Sequence, residues 1–490
     1  MTTSTPESSD PKSSDPKSSD PKSFDPESFD IVIIGGGPGG YVAAIRASQL
    51  GASVAVVERE NMGGICLNWG CIPTKALLKS AEVRYTVENL DDYGMKLNGT
   101  IEVDMGAVMA RSRNVASRLS KGIDHLMRKH KIKVVKGTAL LGAAKGAHRE
   151  VVVTDGPVLM AKDVILATGA RASCPPHIKP DGKRILTYRD ALQHDRTVSS
   201  VVIVGSGAIG VEFASFYNDM GAKVTIIEMQ DQILPVEDTD IAASARKQFE
   251  KRGITILTGA SVSDVKARRD GVTVAYVKDG NADKVDGEIT VIATGITGNI
   301  GGLNLEKVGV TTDRGHIVTD PLMATNVAGI HAIGDVTGAP WLAHKASHEA
   351  VICVDRIMGR KGIHGITKGT VPGCTYCRPQ IASIGMTESV ARDAGLDIKV
   401  GTFNFMANGK AIAIGESDGM VKTIFNAETG ALIGAHLIGP EVTEIIQGFV
   451  IAMKLETTEQ ELMETIFPHP TLSEAMHESV LDAYDRVIHQ

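Results

Sequence analysis

The sequence has few aromatic residues and few cysteines, and it carries no excess of positive charge. Phe, Trp and Tyr make up 4% of its 490 residues, which argues against a protein that binds single-stranded nucleic acid by base stacking. The formal net charge of −7 has the wrong sign for binding a phosphate backbone, so no nucleic-acid partner is expected. Six cysteines are too few for a secreted disulfide scaffold.

Long apolar runs and targeting signals are missing as well. No run of about 18 apolar residues occurs, so no membrane span and no membrane partner are predicted. The N-terminus lacks the basic and then apolar layout of a secretory signal. Residues 1–29 contain several acids and no Arg, unlike a mitochondrial transit peptide. A cytoplasmic location is therefore the expectation.

The first residues form a low-complexity repeat. From Ser8 to Asp30 the chain reads SSDPK three times, then SFDPE and SFD. A proline in every complete unit blocks helix and sheet interiors, and the unit offers almost nothing apolar to bury. A disordered tail over 1–29 is predicted, which is either a solubilising extension or a tether to a larger assembly.

Two later segments share one pattern, in which an apolar run, a glycine cluster, a helical stretch and a second apolar run end in a glutamate. They are DIVIIGGGPGGYVAAIRASQLGASVAVVE at 30–58 and SVVIVGSGAIGVEFASFYNDMGAKVTIIE at 200–228. This pattern predicts two Rossmann-like dinucleotide-binding domains in an α/β protein. The residues expected to contact a dinucleotide are Gly35, Gly37, Gly40 and Glu58 in the first copy, and Gly205, Gly207, Gly210 and Glu228 in the second.

The glycines and glutamates have separate predicted roles. Glycines allow backbone amides and a helix N-terminus to approach a pyrophosphate, while the glutamate accepts hydrogen bonds from ribose hydroxyls. A carboxylate at Glu228 repels a 2′-phosphate, and the next residues, Met229, Gln230 and Asp231, include no Arg to receive one. The second domain should therefore prefer NAD to NADP.

Repeated strand-and-turn signals indicate how the domains are connected. VILATGA at 164–170 and VIATGI at 291–296 each follow one copy, so the second domain is predicted to be inserted into the first. The sequence pattern changes near residue 370, where alternating apolar segments and helical stretches predict a separate C-terminal α+β domain. The predicted division is 1–29 tail, 30–172 first dinucleotide domain, 173–296 second dinucleotide domain, 297–369 return to the first, and 370–490 C-terminal domain.

Cys66 and Cys71 lie in GGICLNWGCIPTK, shortly after the first dinucleotide pattern. In a regular helix, residues five apart have Cα atoms about 8.7 Å apart, beyond the roughly 4.4–6.8 Å that a disulfide permits. An oxidised pair here therefore requires a distorted turn. In a reducing compartment such a bond is catalytic rather than structural, and two unconnected buried thiols are the alternative.

His469 lies between two prolines in FPHPTLSEAMHES, and Glu474 follows at the start of a helical stretch. The prolines restrict the backbone on both sides of the imidazole. A carboxylate near one ring nitrogen fixes the tautomer and raises the basicity of the other, which suits a general acid or base for thiol chemistry. A purely structural histidine is the alternative.

Taken together, CLNWGCIPTK, IHAIGDVTGAPWLAHKASHEA and HPTLSE resemble the flavoprotein disulfide reductase family over residues 30–490. The resemblance implies an FAD domain, an NAD domain and a C-terminal dimerisation domain. It assigns Cys66 as the interchange thiol and Cys71 as the flavin-facing thiol, with His469 and Glu474 as the acid–base pair. Further FAD contacts would be Lys75, paired with Glu212, and Gly137, Ala139, Asp335 and Ala343, while Val262 and Gly295 would contact NAD.

Within that family the motifs are most similar to the branch that oxidises dihydrolipoamide with NAD. This branch implies a homodimer whose His469 serves the other subunit, and partners in the lipoyl domains and E2 core of 2-oxo acid dehydrogenase complexes. Another NAD(P)H-dependent disulfide reductase of the family, or an inactive docking subunit of such a complex, is the alternative.

The other cysteines have no predicted chemistry. Cys374 and Cys377 form a CxxC, but no second pair or nearby histidine cluster completes a zinc site, so no metal is predicted. Cys174 and Cys353 are expected to be packing residues. Trp69, between the two redox cysteines, replaces a smaller aliphatic residue of many relatives and is expected to affect packing near the flavin.

Overall fold

The first sheet is a twisted, mostly parallel sheet with helices on both sides. The computed structural model describes Met1 and residues 26–367 and 369–490, so most of the predicted tail lies outside the described residues. The strand order is β3-β2-β1-β6-β5-β4, in which β5 and β4 form an antiparallel extension. Its elements are β1 Glu27–Ile34, α1 Pro38–Gln49, β2 Val54–Glu58, α2 Gly64–Trp69, α3 Cys71–Glu88, a 3₁₀ turn Leu90–Tyr93, α4 Met105–Lys129, β3 Lys133–Lys136, β4 Ala139–Lys145, β5 His148–Val153 and β6 Val158–Leu166.

The second sheet repeats this design. Its five strands are parallel in the order β11-β10-β9-β15-β8, and an antiparallel three-stranded sheet β12-β13-β14 lies beside it. The central strands are buried apart from the first residues of β9 and β10, which explains their nearly continuous apolar sequences. The elements are β7 Ala170–Ala172, β8 Ile185–Leu186, α5 Tyr188–Ala191, β9 Ser200–Val204, α6 Ala208–Asp219, β10 Lys223–Ile227, α7 Thr239–Lys251, β11 Thr255–Leu257, β12 Ala260–Ala267, β13 Val272–Lys278, β14 Asn281–Gly287, β15 Ile289–Ile292 and β16 Ile296–Gly298.

After the second sheet the chain returns to the first. Strand β16 pairs with β7, and β19 then adds to the first sheet beside β6. Helix α9 packs against α1, the helix of the first glycine turn. The elements of this segment are α8 Leu305–Val308, β17 Thr312–Asp313, β18 His316–Ile317, β19 Ile330–Ala332, a 3₁₀ turn Gly334–Thr337 and α9 Ala343–Ile357.

The C-terminal domain is an antiparallel sheet of five strands in the order β20-β21-β24-β23-β22, covered by helices. Helix α12 packs on β21 and β24, while α14 packs on β22 and β23. The predicted α/β class, with two dinucleotide domains and a C-terminal α+β domain, is therefore confirmed. The elements are β20 Gly373–Thr375, β21 Gln380–Gly385, α10 Glu388–Asp393, β22 Ile398–Asn404, a 3₁₀ turn Phe405–Ala407, α11 Gly409–Ala413, β23 Met420–Asn426, β24 Leu432–Gly439, α12 Val442–Lys454, α13 Glu459–Glu464 and α14 Glu474–Asp482.

A buried lysine joins the second dinucleotide domain to the C-terminal domain. The side chain of Lys422 is 2% exposed, and its Nζ lies 2.9 Å from Asp238, 2.6 Å from Asp240 and 2.7 Å from Glu388. Burial opposes the charged ammonium, but the three carboxylates outweigh it and raise the pKa of Lys422. Moving the carboxylates away from Lys422 would leave its buried charge uncompensated. The cluster therefore holds the second dinucleotide domain and the C-terminal domain in one arrangement.

Candidate active site

The two glycine clusters form the same turn. Within a cluster, a different physical reason accounts for the glycine at each position. Gly35 and Gly205 have φ of +110° and +99°, and a Cβ there would lie 2.2 Å from the Ala167 oxygen and 2.5 Å from the Ala293 oxygen. The last glycine of each cluster is equally restricted, because a Cβ on Gly40 would lie 1.8 Å from the Gly35 oxygen. These glycines bring the helix close against the strand.

The middle glycine of each cluster faces open space instead. A Cβ on Gly207 would meet nothing within 4 Å, and one on Gly37 would meet only the Gly64 Cα at 3.8 Å. Both residues are N-caps, of α6 and α1, and a glycine cap has no side chain that could occupy the first amides of the helix. Free amides and open space at a helix N-terminus suit the pyrophosphate of a dinucleotide.

Glu58 is the last residue of β2, Glu228 directly follows β10, and the two carboxylates accept equivalent hydrogen bonds. The Gly36 amide donates to Glu58 Oε2 at 2.7 Å, and the Ser206 amide donates to Glu228 Oε2 at 2.8 Å. The other carboxylate oxygen, Oε1, accepts from the amide two residues after the glutamate, which is Glu60 for Glu58 and Gln230 for Glu228. The carboxylates are thereby fixed beside the glycine turns, where ribose hydroxyls of a dinucleotide would lie.

Some of the remaining residues predicted to contact a cofactor follow strand ends of the first two sheets. Gly137 follows β3 and Asp335 follows β19, so both lie at the carboxyl edge of the first sheet, where α/β proteins bind ligands. Burial raises the pKa of Asp335, and no described residue donates a hydrogen bond to its carboxylate. The residues therefore fit an FAD. The others are placed as follows: Ala139 begins β4, Ala343 begins α9, Val262 lies in β12, and Gly295 follows β15.

The third glycine of the first turn provides a stability test. We expect Gly40→Ala to lower the free energy of unfolding by about 1–3 kcal/mol through overpacking, and to reduce flavin retention. Chemical denaturation and flavin absorbance of the purified protein measure both effects. Gly122→Ala in α4 is the control, since a Cβ there meets nothing within 4 Å, and it should be neutral or stabilising. An unchanged Gly40→Ala protein would contradict this account of the turn.

Cys66 and Cys71 lie on either side of a helix break. Helix α2 ends at Trp69, α3 begins at Cys71, and Gly70 between them has φ −146° and ψ −113°. The two thiols are free in this structure and lie close enough for each to shift the pKa of the other. The predicted distorted turn is therefore present, and it brings together residues that a regular helix would keep too far apart.

The two thiols differ electrostatically. The hydrogen bond from Cys66 lowers the pKa of Cys71, burial opposes this, and the positive charge of Lys75 lowers it further. The same hydrogen bond, together with burial, raises the pKa of Cys66. This asymmetry favours negative charge on Cys71 over Cys66, which suits the flavin-facing role that the resemblance implies.

A lysine of α3 connects this pair to the other two domains. Lys75 Nζ lies 2.8 Å from Glu212 Oε1, so the predicted pairing is present. The same Nζ lies 4.4 Å from the centre of the Tyr376 ring, and the Tyr376 amide donates to Glu212. Sequence reasoning missed Tyr376, because no pattern indicates a contact between residues so far apart in the chain.

His469 and Glu474 form the predicted pair. His469 Nδ1 lies 2.8 Å from Glu474 Oε1, and the Thr471 amide donates to the other carboxylate oxygen at 2.9 Å. Burial raises the pKa of Glu474, but the hydrogen bonds from Thr471 and His469 outweigh it and lower that pKa overall. The imidazole is 76% exposed, and among the described residues neither of its nitrogens bonds to a cysteine. Its Nε2 is therefore available to another molecule.

Two of the other cysteines, Cys374 and Cys377, contact backbone oxygens. The Cys374 thiol lies 3.9 Å from the Thr443 oxygen, and the Cys377 thiol donates to the Pro379 oxygen at 3.1 Å. Burial raises the pKa of Cys374 to about 11. In the described part of the chain no group of three or more His, Cys, Asp or Glu side chains could hold a metal, and no helix is long and apolar enough to cross a membrane.

Two dinucleotide folds that frame a thiol pair define a class of nucleotide-dependent thiol oxidoreductases. A comparison with protein families agrees: residues 29–350 match the pyridine nucleotide-disulphide oxidoreductase model, and residues 371–480 match the dimerisation domain of the same family. The chain belongs to the pyridine nucleotide-disulphide oxidoreductase family. The family resemblance read from the motifs is thus confirmed.

Individual relatives extend over nearly the whole chain. A dihydrolipoyl dehydrogenase of Rhizobium etli is 54% identical over 474 residues, covering 94% of this chain and 98% of the relative. A dihydrolipoyl dehydrogenase of Bacillus subtilis is 41% identical with the same coverage. Among solved structures, LpdA of Mycobacterium tuberculosis superposes with a TM-score of 0.85 at 29% identity, covering 93% of this chain and 99% of that one.

Proposed function

We infer that this chain is an NAD-dependent dihydrolipoyl dehydrogenase with FAD and NAD as cofactors. The observation that carries this inference is the Cys66–Cys71 pair across the break at Gly70, beside the edge of the first dinucleotide sheet. The relatives at 41–54% identity, all named dihydrolipoyl dehydrogenase, support the same substrate.

The protein side of the reaction follows from the positions of the thiols and the imidazole. His469, oriented by Glu474, accepts a proton from a thiol of dihydrolipoamide. The substrate thiolate attacks Cys66 of the oxidised pair, forming a mixed disulfide and releasing the Cys71 thiolate. The second substrate thiolate then attacks the substrate sulfur of that mixed disulfide, which releases lipoamide and leaves both cysteines reduced. With FAD held at the first sheet edge, the site would have an acceptor for the two electrons of the Cys66–Cys71 dithiol, and NAD held at the second sheet edge would supply the final hydride acceptor.

The chain's own residues would hold the two cofactors. We propose that FAD lies along the first sheet edge and NAD along the second. The FAD contacts would be Gly35, Gly37, Gly40, Glu58, Lys75, Gly137, Ala139, Asp335 and Ala343, and the NAD contacts would be Gly205, Gly207, Gly210, Glu228, Val262 and Gly295.

We also propose that the working unit is a homodimer in which His469 of one chain faces Cys66 of the other. The match to a dimerisation domain over 371–480 supports a dimer, and the exposure of His469 supports a site completed by a second chain. The proposed partners beyond the dimer are the lipoyl domains and E2 core of 2-oxo acid dehydrogenase complexes, and the proposed location is the cytoplasm.

Glu228 should set the choice of nicotinamide cofactor. We expect Glu228→Ala to weaken NAD binding by about 1–3 kcal/mol, since ribose hydrogen bonds to a charged group are lost. The ratio of kcat/KM for NAD to that for NADP should fall, because the carboxylate that repels a 2′-phosphate is gone. Steady-state kinetics with both nucleotides measure this ratio, and Asp270→Ala, which removes an exposed carboxylate of the same domain, is the matched control. An unchanged ratio in Glu228→Ala would refute the assignment.

The substrate assignment is tested by a panel of thiols and disulfides. The purified flavoprotein should reduce NAD with dihydrolipoamide and should be inactive towards glutathione disulfide with NADH or NADPH. Activity on another disulfide without activity on dihydrolipoamide would favour a different reductase of the family. A flavoprotein without activity on any of them would favour the docking subunit.

A further inference from the structure

Trp69 is the last residue of α2 and lies between the two redox cysteines in sequence. Two guanidinium groups contact its ring: the Cζ of Arg113 lies 4.6 Å from the ring centre, and the Cζ of Arg189 lies 4.4 Å from it. A cation within about 6 Å of an indole face is attracted by the ring quadrupole. The end of α2 is thus held by two charged side chains rather than by apolar packing alone.

The two arginines come from separate parts of the chain. Arg113 belongs to the middle of α4, and Arg189 belongs to α5, after the chain has left the first sheet. Arg189 is also anchored by Glu60, with Nη2 2.7 Å from Oε2. Three segments therefore meet at Trp69, each through a side chain.

The contact with the Trp69 ring matters more for the burial of Arg113 than for that of Arg189, which also pairs with Glu60. The Nε and Nη2 atoms of Arg113 are buried and make no hydrogen bond within the part of the chain that the structure describes. Burial, together with the charge of Arg189, lowers the pKa of Arg113. Burying two guanidinium N–H groups without hydrogen bonds is costly, and the interaction with the Trp69 face offsets part of that cost.

The location of this cluster bears on the redox pair. Trp69 immediately precedes Gly70, whose backbone breaks the helix between Cys66 and Cys71. If the break closed into a regular helix, the two Cα atoms would move about 8.7 Å apart, outside disulfide range. Contacts that fix the end of α2 in the broken geometry therefore favour the disulfide over the dithiol.

We propose that Trp69, held by Arg113 and Arg189, is a positioning residue for the Cys66–Cys71 couple. It fixes the break at Gly70 in the geometry that the disulfide requires. The inference rests on the redox role of the two cysteines proposed above, and it is independent of which dithiol reduces them.

The test measures the dithiol–disulfide equilibrium of Cys66 and Cys71 in the flavin-loaded protein. Samples are equilibrated in buffers of reduced and oxidised dithiothreitol, alkylated, and analysed by mass spectrometry. We expect Trp69→Leu to shift the equilibrium towards the dithiol about tenfold, which is about 30 mV for a two-electron couple. Trp69→Phe keeps an aromatic face for the guanidinium groups and should stay within threefold of the wild type.

A second variant keeps the test decisive if Trp69→Leu does not fold. Arg113→Met removes the cation and retains an unbranched side chain of similar length, so it should shift the equilibrium in the same direction by a smaller factor. Arg118→Met, an exposed arginine of the same helix, is the matched control and should leave the equilibrium unchanged.

Two outcomes would overturn the proposal. One is a dithiol–disulfide equilibrium within twofold of the wild type in both Arg113→Met and any folded Trp69→Leu protein. Trp69 would then contribute only to packing, even if its replacement lowered the thermal stability. The other is an equal shift in Arg118→Met. Failure to form any disulfide in the wild-type protein would refute the proposed redox function itself.

Discussion

Cys71→Ser should abolish dihydrolipoamide-dependent NAD reduction while the protein keeps its flavin. We expect kcat to fall roughly 10⁴–10⁶-fold, the scale on which enzymes lose activity when a covalent nucleophile is removed. The physical reason is that Ser cannot form the disulfide with Cys66 that accepts electrons from the substrate. The hydroxyl also cannot carry the negative charge that Lys75 and the Cys66 hydrogen bond stabilise on the Cys71 sulfur. The assay follows NADH absorbance, and flavin absorbance reports retention.

Cys174→Ser is the matched control for this substitution. Burial raises the pKa of Cys174, and the residue is half-buried within the core of the second domain. It should therefore keep full activity. Substantial activity in Cys71→Ser, or an equal loss in Cys174→Ser, would contradict the assignment of the Cys66–Cys71 pair.

His469→Gln should have the second largest effect, a fall in kcat of about 10²–10⁴-fold, the usual contribution of general acid–base catalysis. The glutamine retains a polar group but cannot accept the substrate proton. Glu474→Gln should give an intermediate loss, since it keeps a hydrogen-bond acceptor for His469 Nδ1 but loses the negative charge. Stopped-flow reduction by dihydrolipoamide isolates this half-reaction from the reaction with NAD.

The control is His125→Gln, an exposed histidine of α4, which should leave both half-reactions unchanged. A normal rate of reduction by dihydrolipoamide in His469→Gln would rule out its role as the base. If mixing His469→Gln protein with Cys66→Ser protein generated activity in hybrid dimers, that result would support a site shared between two chains.

Local patterns predicted the dinucleotide folds because each of their features depends on nearby residues. The turn at Gly35, the close approach at Gly40 and the carboxylate at Glu58 recur at fixed offsets, since strand, turn, helix and strand follow one another directly. The Cys66–Cys71 spacing predicted a distorted turn for the same reason. The pairing of His469 with Glu474 spans only five residues.

Contacts between segments that are distant in sequence could not be predicted from local patterns. The ring of Tyr376 over Lys75, the carboxylates around Lys422 and the arginines at Trp69 join residues from different domains or helices. Nothing in the local sequence of either partner indicates the other. The first strand also begins at Glu27, inside the predicted tail, because pairing with β6 continues to Leu159. The domain limits, and the role of the SSDPK repeat, stay predictions.

The central claim is that electrons from dihydrolipoamide pass through the Cys66–Cys71 pair. The most direct measurement follows the tryptic peptide 60–75, which contains both cysteines, after anaerobic mixing with dihydrolipoamide and alkylation. The account predicts an intramolecular disulfide before mixing, and after it two alkylated thiols with one lipoamide formed per disulfide reduced. NAD reduction by a protein in which this peptide never changes its oxidation state would contradict the account.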